Sequence, residues 1–248
     1  MNTKIPFHSN TTLVSCFYNI YNKSKEEWGW RLQQFESLMK LNIYMVVFTD
    51  NDCYDSLCEL SASYANHVYI HPPLAKEEWF TYQHCHLENT EALPSTRNHT
   101  KDTFLFMMLM NEKPIFVQRS VILNYWKTHY FGWIDFSIGY ILKTPNNSLK
   151  TLQTVCNHSL FHNDSFLYIP GCWTPLEYIN MDYLAHNVVW RFCGGFFIGS
   201  HDKIMDMGDV VKTHWKEYVE SIQVYKWEVN YWAWLEYKGK WNPTHYYG

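Results

Sequence analysis

The sequence predicts an α/β protein built on an open, mixed and mostly parallel sheet flanked by helices. Three features carry that expectation. A β-branched and aromatic first strand, "TTLVSCFYNI" (Thr11 to Ile20), is followed by an amphipathic helical stretch. Next comes "IYMVVFTDND", a continuous apolar run ending at Asp50. Such a run suits a strand covered on both faces of a parallel sheet. A helical segment and the strand "HVYIH" (His67 to His71) then complete two βαβ units, ahead of a mixed second half. With 248 residues, one domain over 1–248 is expected.

The elements follow in order. "WGWRLQQFESLMKL" places Trp28, Leu32, Phe35 and Leu38/Met39 at helical spacing. A second helix is expected over about Cys53 to Tyr64. Pro72-Pro73 opens a polar stretch to about Thr100, read as a long loop with a short helix. "DTFLFMMLMNEKPIFVQRSVILNYWKTHY" has helical apolar spacing on both sides of Pro114, which breaks or kinks the segment. A strand ending at Asp135 follows in "YFGWIDFSIGY". Residues 143 to 165 read as polar and turn-rich, and "FLYIPGCW" as a strand and turn. "VVWRFCGGFFIGS" (Val188 to Ser200) reads as a strand interrupted by Gly194-Gly195. Two helices close the pattern, one after Ser200 with its apolar face on Ile204, Met207, Val211, Trp215 and Ile222, and one over about Trp227 to Tyr237.

Composition narrows the function classes. A net charge of -4 with scattered lysines and arginines offers no basic field for phosphate backbones, so nucleic acid is not an expected partner. The most apolar run, "FLFMMLM", ends at Asn111-Glu112-Lys113, too short for a transmembrane segment, and no apolar leader opens the chain. A soluble, cytoplasmic protein is the expectation. Seven cysteines without a CxxC pair read as reduced thiols. Aromatics make up 19% of residues, more than a core needs, and flat rings with polar tips suit sugars and bases. In "HCHLE", His84 and His86 lack the further ligands that zinc requires.

Chemistry is expected at strand ends. In open α/β sheets ligands lie outside the carboxyl ends of the strands, where Tyr18, Asp50 and Asp135 all fall. A carboxylate at the tip of a buried strand is a rigid oxygen ligand for a hard divalent cation bridging a diphosphate. A turn at Asp135-Phe136-Ser137 accounts for the same residue types.

Four stretches in this order, "TLVSCFYNI", "YFGWIDFSIGY", "RFCGGFFIGS" and "WEVNYWAWLE", resemble the HtrL/YibB-type family of glycosyltransferases. The resemblance runs from about Thr11 to Glu236. It implies a GT-A-like single domain that moves a sugar from a nucleotide-sugar donor, with UDP favoured, to a glycan acceptor, using Mn²⁺ or Mg²⁺. It implies donor contacts at Phe17, Tyr18, Asp50, Arg119, Asp135 and Ser137. Gly194, Gly195, Phe196 and Trp227 fall on the acceptor side, and Glu228 is the base expected of an inverting transferase, with Asp182 in reserve. Ser137 stands where the common D-x-D element has its second acid, so His245 enters as an added metal ligand beside Asp135. Two rivals accompany this expectation: a catalytically inactive carbohydrate- or nucleotide-binding protein of the same fold, and a metal-dependent hydrolase.

Overall fold

The computed structural model describes residues 9–85, 92–142, 144–157 and 165–246. The first half alternates strand and helix: β1 (Thr11–Phe17), α1 (Lys25–Met39), β2 (Tyr44–Thr49), α2 (Asn51–Ser61) and β3 (Val68–Ile70). A short helix α3 (Phe80–Gln83) precedes α4 (Phe104–Asn111) and α5 (Lys113–Leu123), which lead into β4 (Tyr130–Ile134). After α6 (Pro145–Asn157) come β5 (Leu167–Pro170), α7 (Met181–His186), β6 (Phe196–Ser200), α8 (His201–Ile222), α9 (Glu228–Tyr237) and β7 (Thr244–Tyr246).

The seven strands form one sheet in the order β3-β2-β1-β4-β6-β5-β7. β3, β2, β1 and β4 run parallel, β6 is antiparallel to both β4 and β5, and β7 is parallel to β5. This is the open, mixed and mostly parallel sheet expected. The chain leaves β1 toward β2 and β3 on one side and returns to add β4 on the other. The carboxyl ends of β1 and β4 therefore diverge at a topological switch point, where such sheets leave a crevice.

Side-chain alternation along β1 separates the two layers. Leu13 and Phe17 pack with Trp28, Phe35 and Leu38 of α1 and with Leu57 of α2. Val14, Cys16 and the following Tyr18 face the other layer, made by α4, α5, α8 and α9. Phe17 stacks on Phe136 with ring centroids 4.5 Å apart. Local signals set the helix starts: Glu27 accepts from the Ser24 backbone N–H at 2.9 Å, and Asp50 caps α2 through Cys53 N at 3.0 Å. Pro114 sits in the first turn of α5, where its missing N–H costs nothing.

Two expectations are corrected. The stretch read as polar and turn-rich contains α6, because Leu149, Leu152 and Cys156 form an apolar stripe under its polar residues. The strand expected over Val188 to Ser200 begins only at Phe196, and Gly194-Gly195 form a turn before it, with a lone bridge joining Phe192 to Gly171. The tail supplies β7 on the sheet edge, paired with β5. Among the described residues, no helix is long and apolar enough to cross a membrane.

Candidate functional site

A lysine organises the carboxyl end of the sheet. Lys113, the first residue of α5, is 1% exposed. Its ammonium lies 3.0 Å from Asp135 Oδ1 and 2.7 Å from Glu228 Oε1, and donates to the Gly194 carbonyl at 3.0 Å. Three elements far apart in sequence thus meet on one nitrogen: the tip of β4, the first residue of α9 and the turn before β6. Burial disfavours the ammonium, but the Asp135 and Glu228 carboxylates outweigh it and hold its pKa above the ordinary lysine value. One cation against two carboxylates leaves the cluster with net negative charge.

The neighbours fix each member. Trp133 donates from Nε1 to Asp135 Oδ1 at 2.7 Å, so that oxygen receives both Trp133 and Lys113. Asp135 N donates to the Gly195 carbonyl at 2.9 Å, which sets the glycine turn against the acid. The Asp135 side chain stays 37% exposed, whereas that of Glu228 is 7% exposed. A Cβ on Gly195 would lie 3.5 Å from Asp135 Oδ2, so this oxygen faces the glycine side of the crevice. Glu228 sits in the first turn of α9, whose dipole favours its charge. Beneath them, burial pushes the Cys16 thiol up, opposed by Lys113 and reinforced by Asp135, Asp50 and Glu112.

Glu112 and Lys113 occupy the α4–α5 junction and point to different partners. Glu112 accepts from the backbone of Phe80 and Thr81, both at 3.0 Å, and from the Thr81 hydroxyl at 2.9 Å. Burial pushes its carboxyl up to about 7, against the pull of those hydrogen bonds and of Arg119. A raised folded-state pKa favours the protonated native state. The stability it contributes is complete below 4.5, the ordinary value, and is lost as pH rises through about 7. We expect the wild type to lose about 3 kcal/mol more than Glu112→Gln between about pH 4.5 and about pH 8. Denaturant melts across that range check this, and parallel pH slopes in the two proteins would refute it.

The remaining expected residues distribute as follows. Asp50 receives Cys53 N on Oδ1 and Asn19 N on Oδ2, the latter at 2.6 Å, so it joins the end of β1 to α2 as well as capping the helix. Phe17 is core, 4% exposed. Tyr18 is 6% exposed and packs edge-on against Trp79, with centroids 4.9 Å apart. Arg119 donates to the Glu78 carbonyl at 2.7 Å, so the basic residue of α5 that reaches Asp135 is Lys113. Ser137 precedes a 3₁₀ turn and accepts Tyr140 N on its backbone oxygen at 3.0 Å.

On the expected acceptor side, Gly194 makes room for an acid. A Cβ there would lie 2.1 Å from Glu228 Oε1, so the missing side chain admits the buried carboxylate. Phe196 is half-buried opposite Ile134, and Trp227 is half-buried under Lys226, whose Nζ lies 4.5 Å from the ring centroid. Asp182 is 89% exposed on α7 and lies 3.8 Å from His186 Nε2. No ion pair or hydrogen bond joins Asp182 to the Lys113 cluster among the described residues. His84 donates from Nδ1 to the Phe80 carbonyl at 2.8 Å, while His86 lies outside the described residues. His245 pairs in register with Ile169 in β7, and its side chain lies outside the described residues.

Among the described residues no group of three His, Cys, Asp or Glu converges. Asp135 Oδ2 is the oxygen of this cluster that would hold a hard divalent cation, with its other ligands supplied from outside the protein. Lys113 is the residue that sequence reasoning missed. Its signal was the polar triplet Asn111-Glu112-Lys113 between two apolar helical runs.

No family model and no curated protein matches the chain. Among solved structures, the chain is similar to mouse xyloside xylosyltransferase 1 in its apo form, at 7% identity, 93% coverage of this chain, 82% of that chain and a TM-score of 0.45. It is also similar to 4-diphosphocytidyl-2C-methyl-D-erythritol synthase from Anaerococcus prevotii, at 9% identity, 96% and 86% coverage and a TM-score of 0.43. Likenesses this loose assign no residue a role.

Proposed function

We propose that the chain is a glycosyltransferase that moves a sugar from a nucleotide-diphosphate donor, a UDP-sugar first among candidates, to a glycan acceptor. The observation that carries this reading is the buried Lys113, which holds the half-exposed Asp135 and the buried Glu228 together at the switch point of the sheet. A crevice there is where a mononucleotide lies in open α/β sheets. The four ordered motifs support the same reading.

In this proposal Asp135 presents Oδ2 to the donor, and Asp135 and Ser137 mark the diphosphate end. Asp50 and the turn at Asn19 lie toward the nucleoside end. A divalent cation, Mn²⁺ or Mg²⁺, neutralises the diphosphate leaving group when bound, with Asp135 as its protein ligand. Glu228 enters as a positioning residue and no longer as the base, because its Oε1 is spent on a buried ammonium and its side chain is 7% exposed. It holds Lys113, and Lys113 with Trp133 holds Asp135 in one rotamer.

The test is thermal melting with UDP-, GDP- and dTDP-sugars, each with and without Mn²⁺, since a ligand that binds only the native state raises its stability. We expect one nucleotide to shift the melt in the presence of Mn²⁺. Asp135→Asn keeps an acceptor for Trp133 and Lys113, so it should fold while losing the Mn²⁺-dependent shift and lowering transfer by at least about 100-fold. An unchanged shift and unchanged transfer in Asp135→Asn would remove Asp135 from the site. Ser137 in place of a second acid favours one other reading, a nucleotide- or carbohydrate-binding protein without catalysis. Nucleotide binding with no transfer to any glycan offered would select it.

A further inference from the structure

Between β5 and β6 the chain builds a concave surface whose lining shares no residue with the Lys113 cluster. A cleft of about 210 Å³ is lined by Trp173, Tyr178, Asn180, Tyr183, Leu184 and Val189, among others. Its rings are open to solvent: Trp173 is 40% exposed, Tyr183 47% and Tyr178 74%. Core packing does not require rings placed this way.

Buried polar side chains hold the cleft in shape. Asn230 of α9, fully buried, donates to the carbonyls of Leu184 and Asn187 at 3.0 and 2.7 Å and accepts from Val189 N at 3.0 Å. Arg191, also fully buried, donates to the Trp173 carbonyl at 2.7 Å and forks onto Glu236 of α9 at 2.6 and 2.7 Å. Both walls are therefore fastened to the helix whose first residue is Glu228. The next residues after Arg191 lead to the Gly194-Gly195 turn beside Asp135. The aromatic cleft and the proposed reaction site are thus tied to one helix and joined by one short segment.

The charge of the segment selects the ligand. From Gly171 to Asn187 there is no Lys or Arg, while Glu177 and Asp182 are exposed beside the rings. These exposed acids disfavour phosphates, uronates and nucleic acids, while the cations bonded to the segment, Arg191 and Lys226, are buried and turned to its carbonyls. A neutral pyranose fits: its C–H face covers an aromatic ring, and its hydroxyls donate to carboxylates and accept from the exposed Asn180. The volume is below the usual ~300–1,000 Å³ of drug-sized pockets, which suits one ring with the rest of a chain outside.

We propose that this cleft is the acceptor subsite and holds one neutral sugar ring of the glycan, stacked on Trp173, Tyr178 or Tyr183. The assignment rests on the glycosyltransferase reading. The experiment titrates methyl β-glucoside, methyl β-galactoside and methyl β-xyloside, with tetramethylammonium as a cationic control. Saturation-transfer NMR follows binding, and the UDP-induced thermal shift with Mn²⁺ is measured in parallel. We expect at least one glycoside to bind the wild type, and Trp173→Ala or Tyr183→Ala to weaken it at least tenfold with the UDP shift unchanged. Both are surface rings, so these variants fold.

Glycoside binding that both variants leave intact overturns the assignment. So does the absence of glycoside binding in a protein that shows the UDP shift, and so does binding of tetramethylammonium in place of the glycosides. Glycoside binding without any nucleotide shift overturns the acceptor role together with the transferase reading, and favours the non-catalytic carbohydrate-binding alternative.

Discussion

Lys113→Met is expected to destabilise the protein by about 3–5 kcal/mol and to abolish the nucleotide-induced thermal shift. The variant keeps the volume of the side chain but strands the buried Glu228 without its cation and releases Oδ1 of Asp135 from one of its two donors. Removing one partner from a buried pair leaves the other charge desolvated, which is why the effect exceeds what the pair itself contributes. Adding Glu228→Gln removes that stranded charge. The double variant should therefore recover at least about 1 kcal/mol relative to additivity. Denaturant melts of the three variants give the comparison. A single variant within about 1 kcal/mol of the wild type would show that Lys113 is not the centre of the cluster.

Gly194→Ala comes next in size. The new methyl would stand 2.1 Å from Glu228 Oε1, 3.0 Å from its carboxyl carbon and 3.1 Å from Val229 Cγ1. Oε1 is the oxygen bonded to Lys113, and the Gly194 carbonyl accepts from the same ammonium, so either the turn or the carboxylate moves. Overpacking of this kind costs about 1–3 kcal/mol. Displacing the acid that positions Lys113, and through it Asp135, should also cut transfer by about 100-fold, the usual penalty for misplacing a site by about 1 Å. Combining Gly194→Ala with Glu228→Ala makes room for the methyl. Stability should then return in part while transfer stays low, because the positioning carboxylate is gone. Full activity in Gly194→Ala would mean that Glu228 does not set the geometry at Asp135.

These expectations separate what each level of description supplied. The alternation of strand and helix, the carboxyl-terminal placement of Asp50 and Asp135, the break before Pro114 and the start of α9 near Glu228 were legible in the sequence. They rest on periodicity, capping and proline chemistry, which act over a few residues. Asp50 illustrates the agreement in placement: the sequence puts it after an apolar run at a strand's carboxyl end, and the structure has it directly after β2, receiving Cys53 N. The helix α6 was also encoded, in the spacing of Leu149, Leu152 and Cys156, but its Asn- and Thr-rich surface hid that stripe.

The partners of buried charges were not legible. Glu228 and Gly194 entered through the resemblance of the motifs that hold them, yet neither motif names Lys113. That residue is 115 positions from Glu228 and 81 from Gly194. The edge strand β7 was missed for the same reason, since three residues have no pattern of their own and gain a ladder only beside β5. Local sequence thus determined which segments form strands and helices and which acids stand at their ends. Only the tertiary structure decided which acid is open, which is spent on an ammonium and which glycine makes room for it. Burying a charge is tolerable only against a specific partner, and that partner is chosen by the packing of the whole sheet.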